Sequence, residues 1–382
     1  LGMKKMLSLV MAITMCLSLA ACSGGTTSQG ESSQSPAAST PAASSTPAAS
    51  TPAASTPAAS TGSDYASLDP VVLRGADSSG VGAAAQQLGE LVAEKVDAIT
   101  GGQLTVEYYP NSEMGGDMDI QQQMLDGTLD YVVLQTAPTV SFVPAVAVFD
   151  LPMVFAQYDG DTIDQVLNGD DSEFLKAIAP KYEEKNMKIL GYLQNATYRL
   201  TTSNVKLDTL DAFKGLQIRT MENQNHMAFW SALGAAPTPL AWPEVYISLQ
   251  NGTIDAQENA ADTCMTSNFQ EVQKYLNFTN HILYLNQIII NNDKFNSLDP
   301  LYQDALTQAV EEAIAELRPA LTELDKSSKD TLAAGGMEMV EYAPEFYDEI
   351  LNLQGVQDLY TKIDGEVDGL GTILQDAAVA GA

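Results

Sequence analysis

The sequence contains few of the residues that carry most enzyme chemistry. Among 382 residues there are two histidines and three cysteines. His226 and His281 lie 55 residues apart, and neither belongs to an HExxH-type or other paired metal-ligand spacing. Neither a GxSxG nucleophile elbow nor a P-loop is present. We therefore expect no catalytic residues, no metal site and no cofactor, and we predict that the protein is not an enzyme.

Basic residues are also scarce. Eighteen Lys and Arg stand against 49 Asp and Glu, which gives a formal net charge of -31 at pH 7. Nucleic-acid-binding proteins displace counterions with clustered basic side chains, and a folded surface that binds anionic lipid needs the same charge. The composition therefore argues against both kinds of partner. Four residues are arginines: Arg74, Arg199, Arg219 and Arg318.

The N-terminal segment has the pattern of a bacterial export signal. Lys4 and Lys5 form a short basic region, and residues 6–19 form an apolar run that is too short to span a membrane. The run ends in Leu-Ala-Ala-Cys, and small residues before a cysteine resemble a lipoprotein signal. We predict that residues 1–22 are this signal and that acylated Cys22 anchors the protein to the outer face of the cell membrane. The alternative is an ordinary secretory peptide with an incidental cysteine.

Removal of this signal changes the charge and the cysteine count. It leaves 16 basic residues against 49 acidic ones, a net charge of -33. Cys16 leaves with the signal and Cys22 carries the lipid, so Cys264 is the remaining thiol and no intramolecular disulfide is expected.

Residues 23–64 consist mainly of Ser, Thr, Pro, Ala and Gly, with the unit STPAA repeated. Such a segment cannot bury a core, and regularly spaced proline favours extended, solvated backbone. We predict a disordered, semi-rigid linker that holds the folded body up to roughly 100 Å from the anchor.

Strand and helix patterns alternate in the rest of the chain. Strand patterns occur at residues 71–73, 104–109, 131–134, 189–193 and 216–218. Between the first two, apolar residues recur at helical spacing from Ala84 to Ile99. Farther on, residues 306–321 have the spacing of a long amphipathic helix, in which Pro319 predicts a kink or a break. The alternation predicts an α/β fold.

One pattern occurs twice. MLDGTLDYVVL, residues 124–134, and LQNGTIDAQEN, residues 249–259, share a helix end, an Asx-Gly pair, Thr, an aliphatic residue, Asp and then a strand. Each glycine stands where a helix C-terminus favours a left-handed residue. The two copies suggest two similarly built α/β lobes.

Two arginines follow strand patterns at what we expect to be one sheet edge. These are Arg199, in NATYRLTT, and Arg219, in LQIRTMEN. The planar guanidinium matches a carboxylate with two hydrogen bonds, so either arginine is suited to bind an anionic ligand. The alternative is that each is paired with one of the protein's own abundant acids.

These and other segments resemble the solute-binding subunit of TRAP transporters, the dicarboxylate-binding periplasmic type. The similar segments together span roughly residues 69–315. They include TGGQLTVEYYPNSEMGG, DGTLDYVVL, FDLPMVF, DAFKGLQIRTMEN, LGAAPTPLAWPEVYISLQNGTIDAQEN and FQEVQKYLNFTNHILY.

The resemblance implies a two-lobed, periplasmic-binding-protein-like fold with a ligand cleft between the lobes and a long helix bridging them. We assign residues 65–195 and 285–345 to lobe I, and residues 196–284 and 346–382 to lobe II. The implied function is capture of an organic acid and its delivery to membrane permease subunits driven by a sodium gradient. We expect a monomer.

The resemblance also implies the ligand contacts. Arg219 is the main carboxylate-binding residue and Arg199 a second cationic contact. Asn259 is a hydrogen-bonding contact, Trp242 packs against the ligand body, and Gln135 is a polar contact from the first lobe.

Two features depart from the family pattern. Glu222 stands where the sialate-binding branch carries a neutral amide, so it is either an acceptor for ligand hydroxyl groups or the internal partner of Arg219. Residues 77–82 are rich in Gly and Ser where relatives often place larger polar contacts. Trp242 and Glu222 favour a hydroxylated sugar acid over a C4-dicarboxylate. The alternative functions are an extracytoplasmic sensor subunit and a carboxylate-based hydrolase.

Overall fold

The computed structural model describes residues 65–381. The predicted signal, Cys22 and the linker lie outside the described residues. Within this range, eleven strands form two sheets. The first contains β1 (Val71–Asp77), β2 (Leu104–Tyr109), β3 (Tyr131–Gln135), β4 (Met187–Leu193) and β10 (Asn286–Asn291), in the order β2-β1-β3-β10-β4. The second contains β5 (Leu200–Ser203), β6 (Gln217–Thr220), β7 (Ala236–Pro239), β8 (Ala256–Asn259), β9 (Tyr275–Asn277) and β11 (Glu338–Val340), in the order β11-β9-β5-β8-β6-β7.

Helices connect and cover these strands. They are α1 (Ala84–Thr100), α2 (Asp117–Leu125), α3 (Thr136–Thr139), α4 (Gly160–Asn168), α5 (Glu173–Glu183), α6 (Gln224–Ala232), α7 (Trp242–Gln250), α8 (Ala261–Thr266), α9 (Asn292–Ser297), α10 (Pro300–Ala334), α11 (Pro344–Leu351), α12 (Gln354–Glu366) and α13 (Leu370–Gly381). Short 3-10 helices cover Pro144–Asp150, Leu210–Phe213 and Phe269–Glu271. The predicted α/β class is confirmed, and each predicted strand is present.

The first sheet is buried on both faces, as the sequence of β10 requires. Ile288 and Ile290 belong to the apolar core that includes residues of α1 and α10, whereas Ile289 belongs to the core on the opposite face. Because successive strand side chains point to opposite faces, three consecutive isoleucines serve two cores at once. β1 runs parallel to β2 and β3, and β10 runs antiparallel to its neighbours β3 and β4.

The repeated Asx-Gly pattern forms the same turn in both sheets. Gly127 follows the end of α2 with φ 77°, and Gly252 follows the end of α7 with φ 69°. This left-handed conformation costs glycine little because it has no Cβ. Each turn leads into a strand, β3 in the first sheet and β8 in the second.

Two chain segments cross between the sheets and pair with each other. They join β4 to β5 and β9 to β10, and they form an isolated antiparallel bridge between Tyr198 and Leu283. The Arg199 amide donates to the Ile282 carbonyl at 2.9 Å, and the Tyr284 amide donates to the Thr197 carbonyl at 2.8 Å. This paired crossing has the form of a hinge.

Helix α10 bridges the two halves, as predicted. Its 35 residues span about 50 Å at 1.5 Å per residue. It packs against α1 and β4 of the first half and against α8 of the second. The helix continues through Pro319, so the predicted break is wrong. Both Pro319 and Ala315, whose carbonyl loses its donor, are exposed, so water can hydrate that carbonyl.

The structure differs from the assigned lobe boundaries at two places. Residues 338–340, assigned to lobe I, form β11 and pair with β9 in the second sheet, because the chain leaves α10 at that side. Helix α13, assigned to lobe II, packs against α4 and α5 beside the first sheet. Its Leu370, Leu374 and Ala378 are buried in the same apolar core as residues of those helices. The other boundaries stay predictions.

Candidate functional site

The predicted ligand contacts come from the edges of both sheets. Gln135 is the last residue of β3, and Asn259 is the last residue of β8. Arg219 lies in β6 and Trp242 is the first residue of α7. Gln135 Nε2 donates to Asn259 Oδ1 at 3.1 Å, so the two sheets meet at these two amides.

Arg219 is a buried cation with an unused donor. Only 1% of the residue is exposed. Its Nε and Nη2 donate to the Leu240 carbonyl at 2.9 and 2.7 Å, while the buried Nη1 has no partner. The guanidinium carbon lies 5.4 Å from the centroid of the Trp242 ring, which is cation–π geometry. An unsatisfied buried donor is costly unless a ligand completes it.

No carboxylate among residues 65–381 lies within ion-pair distance of Arg219. Burial lowers the pKa of Arg219 to about 10, against the opposing effect of Glu258, so the group remains charged at neutral pH. Glu222 is half-buried, and its side chain forms no hydrogen bond or ion pair with a described residue. The hypothesis that Glu222 is the internal partner of Arg219 therefore finds no contact in the structure.

Arg199 has the opposite environment. Its Nε donates to Glu258 Oε2, and its Nη2 donates to Glu258 Oε1 at 2.8 Å and to the Glu258 carbonyl at 2.9 Å. Its Nη1 donates to Gln135 Oε1. Burial alone would raise the pKa of the Glu258 carboxyl, but Arg199 and the adjacent histidines hold it well below its usual value. Arg199, expected to be a second cationic contact, has its charge neutralised by an acid of the protein because Glu258 lies in the neighbouring strand β8.

A cavity of 280 Å³ opens beside Trp242. Ser78 and Gly80 line it from the loop after β1, and Trp242, Tyr246 and Thr266 line it from α7 and α8. A larger cavity of 640 Å³ lies between α4, β4 and α10, and none of the predicted ligand contacts lines it. Of the predicted ligand contacts, Trp242 lines the smaller cavity, and its ring lies against the Arg219 guanidinium.

A comparison with protein families identifies the family to which the chain belongs. The model of the DctP family, bacterial extracellular solute-binding protein family 7, matches residues 75–361, which is most of the chain. The chain belongs to this family.

Relatives and solved structures of solute-binding proteins support the assignment. The 2,3-diketo-L-gulonate-binding periplasmic protein YiaO of Escherichia coli K12 is 29% identical over 73% of this chain and 82% of its own length. The sugar acid binding protein DctPAm from Advenella mimigardefordensis, in complex with galactonate, superposes with a TM-score of 0.76 at 24% identity. That match covers 82% of this chain and all of that one. A TRAP periplasmic solute binding protein from Shewanella oneidensis with bound succinate has a TM-score of 0.74 at 25% identity, covering 82% of this chain and 99% of its own.

This family member carries buried acids that the sequence analysis did not single out. Asp117, the first residue of α2, accepts a hydrogen bond from Ser78 Oγ, and burial raises the pKa of its carboxyl. Asp77, the last residue of β1, binds Tyr108 Oη and the Ser79 amide, both at 2.7 Å. Burial raises the pKa of Asp77 to about 7. The signals were present, since Asp117 follows Gly-Gly at a helix start and Asp77 ends an apolar strand. Of residues 77–82, Ser78 and Gly80 line the cavity wall.

Metal binding and thiol chemistry find little support among the described residues. Among residues 65–381, no group of three His, Cys, Asp or Glu side chains is arranged to hold a metal ion. Cys264 is buried, and burial raises the pKa of its thiol to about 12, which disfavours the reactive thiolate. Within the same residues, no helix is both long and apolar enough to cross a membrane.

Proposed function

We propose that this protein is an extracytoplasmic receptor that captures a carboxylate-bearing organic acid between its two sheets and delivers it to a sodium-coupled TRAP permease. The single observation that carries the proposal is Arg219, a buried guanidinium that lacks a carboxylate partner among the described residues and has an unused Nη1. Desolvated, charge-assisted hydrogen bonds contribute about 1.5–3 kcal/mol each. A ligand carboxylate supplies both the missing charge and the missing acceptor.

The proposed contacts bind two parts of the ligand, its carboxylate end and its body. Arg219 binds the carboxylate, and Asn259 and Gln135 hydrogen-bond the same end. Trp242 packs against the ligand body. Arg199 acts on the ligand mainly by holding Gln135 in place, because its own charge is paired with Glu258.

The ligand is a sugar acid rather than a C4-dicarboxylate. Glu222 and Asp117 are both close enough to Arg219 to affect its pKa, so a second ligand carboxylate meets negative charge there. Hydroxyl groups, in contrast, can donate to these acids. The relative that binds 2,3-diketo-L-gulonate fits this class. The Shewanella structure with bound succinate shows that the fold also accepts a dicarboxylate, so the acids near Arg219 supply the discrimination.

Capture involves closure of the two halves about the hinge segments near Tyr198 and Leu283. The receptor is held at the outer face of the cell membrane by acylated Cys22, and residues 23–64 give it reach toward the permease. It works as a monomer, and it binds neither a cofactor nor nucleic acid.

Thermal unfolding against a panel of acids tests the proposal. Ligand at a hundred times its Kd adds about 2.7 kcal/mol to the free energy of unfolding and raises the Tm. The panel contains galactonate, 2,3-diketo-L-gulonate, succinate and a neutral sugar. We expect stabilisation by the sugar acids and its loss in Arg219→Met.

The matched control is Arg74→Met, since Arg74 is a half-exposed arginine bound to Asp130 at the far end of β3. Stabilisation by the neutral sugar alone would contradict carboxylate capture. Tighter binding of succinate than of the sugar acids would overturn the ligand class only. Recovery of a chemically altered acid would favour the hydrolase instead.

A further inference from the structure

Four buried charged side chains form a continuous row behind the site. Arg199 binds Glu258, the Glu258 Oε1 atom lies 3.5 Å from His226 Nδ1, and His226 Nε2 lies 3.2 Å from Asp150 Oδ1. Each of the four residues is at most 3% exposed. His281 Nε2 touches the other side of Glu258, at 3.1 Å from Oε2.

The row connects segments that belong to different halves of the molecule. Glu258 lies in β8 of the second sheet, whereas Asp150 ends the 3-10 helix that follows β3 and α3. Asn223 Nδ2 donates to Asp150 Oδ2 at 2.8 Å and to the Ala137 carbonyl at 3.0 Å, and Asn225 Nδ2 donates to the same Asp150 oxygen at 2.9 Å. The start of α6, which follows β6 of the second sheet, is therefore bonded to segments that follow β3 of the first sheet.

The surroundings of His226 favour a doubly protonated ring. Its Nε2 and Nδ1 lie 3.2 and 3.5 Å from carboxylate oxygens, contacts that have ion-pair distance but not hydrogen-bond geometry, and a neutral imidazole has one N–H and one lone pair. In either neutral tautomer a lone pair would face a buried carboxylate. Only the imidazolium presents a donor to both Asp150 and Glu258.

Charge balance leads to the same conclusion. Two carboxylates, Asp150 and Glu258, are neutralised by Arg199 and His226 only if His226 carries a proton. Burial favours the neutral ring, but the two carboxylates outweigh it and raise the pKa of His226 to about 9. Burial lowers the pKa of His281, which also binds Thr279, so His281 stays neutral beside Glu258. The other nearby cation, Lys362, binds Asn225 and Glu366 and does not contact the row.

From this arrangement we infer that His226 is a positioning residue for ligand capture. As an imidazolium it fixes Glu258 in the orientation that binds Arg199, and Arg199 in turn holds Gln135 beside Asn259. The inference rests on the proposed function, since Gln135 and Asn259 are its ligand contacts.

Histidine-selective ¹⁵N labelling tests the protonation state without any ligand. The chain has two histidines, so the spectrum contains two imidazole rings, and His281→Gln assigns them. At pH 7.5 we expect His226 to show two protonated nitrogens and His281 to show one. A single protonated nitrogen on His226 at pH 7.5 would overturn the inference.

The affinity of His226→Gln tests the positioning role. We expect the Kd for the acid that the wild type binds to rise about tenfold at pH 7.5. Between pH 7.5 and 9 the wild-type Kd rises as His226 begins to lose its proton, whereas the Kd of the variant changes less, because Arg219, with a pKa of about 10, stays mostly charged. Lys206→Met, which removes a surface cation bonded to Glu338, is the matched control and keeps the wild-type profile.

A rescue variant covers the case in which His226→Gln folds poorly. His226→Gln combined with Asp150→Asn removes one charge of each sign and leaves the Arg199–Glu258 pair balanced, so we expect it to recover stability and part of the affinity. An unchanged Kd in His226→Gln, or a variant profile that rises like the wild type, would refute the positioning role. If the wild type binds no acid at all, the proposed function fails while the labelling result still stands.

Discussion

Arg199 and Arg219 are chemically identical and equally buried, and Arg199 directly precedes β5 of the sheet whose strand β6 contains Arg219, yet they have opposite surroundings. Arg199 is bonded through two nitrogens to the Glu258 carboxylate, and its remaining terminal nitrogen holds Gln135. Arg219 is bonded only to the Leu240 carbonyl and stacks on Trp242. One charge is neutralised within the protein and the other is not. The comparison teaches that the partner, not the residue type or its depth, decides whether a buried charge is structural or available.

Two acids in the same region repeat this contrast with the opposite sign. Glu258 is surrounded by Arg199 and two histidines, and its pKa is well below the usual value. Asp77 has only neutral donors, Tyr108 and Ser79, and burial raises its pKa to about 7. Glu258 is thus a paired charge, whereas Asp77 has no cation within ion-pair distance among the described residues.

The largest expected effect separates the two arginines by stability. Arg199→Met leaves Glu258 buried without its main cation, which lowers the free energy of unfolding by about 3–5 kcal/mol. Arg219→Met removes a buried cation that has no carboxylate partner, so the free energy of unfolding stays the same or rises. Urea denaturation measures both. Equal losses in the two variants would remove the contrast.

A double variant sharpens this result. In Arg199→Met combined with Glu258→Leu, no uncompensated carboxylate remains beside the methionine, so we expect a smaller loss than the sum of the two single losses. Additive losses would show that the pair is not coupled.

The next effect is a pH dependence at Asp77. Its pKa is raised from 3.8 to about 7 in the folded protein, so the folded state holds the proton more tightly than the unfolded state does. The contribution of Asp77 therefore lowers the free energy of unfolding as pH rises from 3.8 to about 7, by about 1.4 kcal/mol for each pH unit. Asp77→Asn lacks this dependence and becomes the more stable protein toward neutral pH. Urea denaturation of the wild type and of Asp77→Asn measures this. A difference in the free energy of unfolding that stays constant from pH 4 to 8 would contradict the prediction.

Arg219→Lys sharpens the comparison through affinity. Lysine keeps the positive charge but not the planar fork, so we expect the Kd for the bound acid to rise by about 10–100-fold with little change in Tm. Isothermal titration measures the Kd. Arg74→Lys at the half-exposed pair with Asp130 leaves the Kd unchanged. Wild-type affinity in Arg219→Lys would show that charge alone is sufficient.

The smallest effect concerns the aromatic ring beside Arg219. Trp242→Leu removes the cation–π contact, worth about 1 kcal/mol, so we expect a Kd about fivefold higher. Trp242→Phe keeps an aromatic face, so we expect its Kd to lie between those of the wild type and Trp242→Leu. Equal affinities for the leucine and phenylalanine variants would assign the effect to packing alone.

Local sequence patterns were sufficient for much of the architecture. Alternating strand and helix spacing predicted β1 to β4, β6 and α1, and the Asx-Gly pattern predicted the turns at Gly127 and Gly252. These features depend on residues close in sequence. Pro319 did not break α10 because its position on the exposed side lets water replace the lost hydrogen bond, and exposure is not a local property.

The candidate site was likewise predicted in part from the sequence and in part only from the structure. Resemblance brought Arg199, Arg219, Gln135 and Asn259 together as candidates, and the structure places the last two in contact across the sheets. No local pattern could have told the two arginines apart, because Glu258 reaches Arg199 only through the antiparallel pairing of β5 with β8. The row from Arg199 to Asp150 could not be predicted from the sequence either, because its members come from four separate segments.

By itself the sequence determined the class of the protein: acidic, poor in catalytic groups, α/β, with an export signal pattern and arginines suited to a carboxylate. These conclusions rest on composition and on spacing along the chain. Only the tertiary structure decided which arginine lacks a carboxylate partner, which acids are paired and that His226 lies between two carboxylates. The physical reason is that the energy of a buried charge depends on the charges and donors around it, and strands distant in sequence supply them.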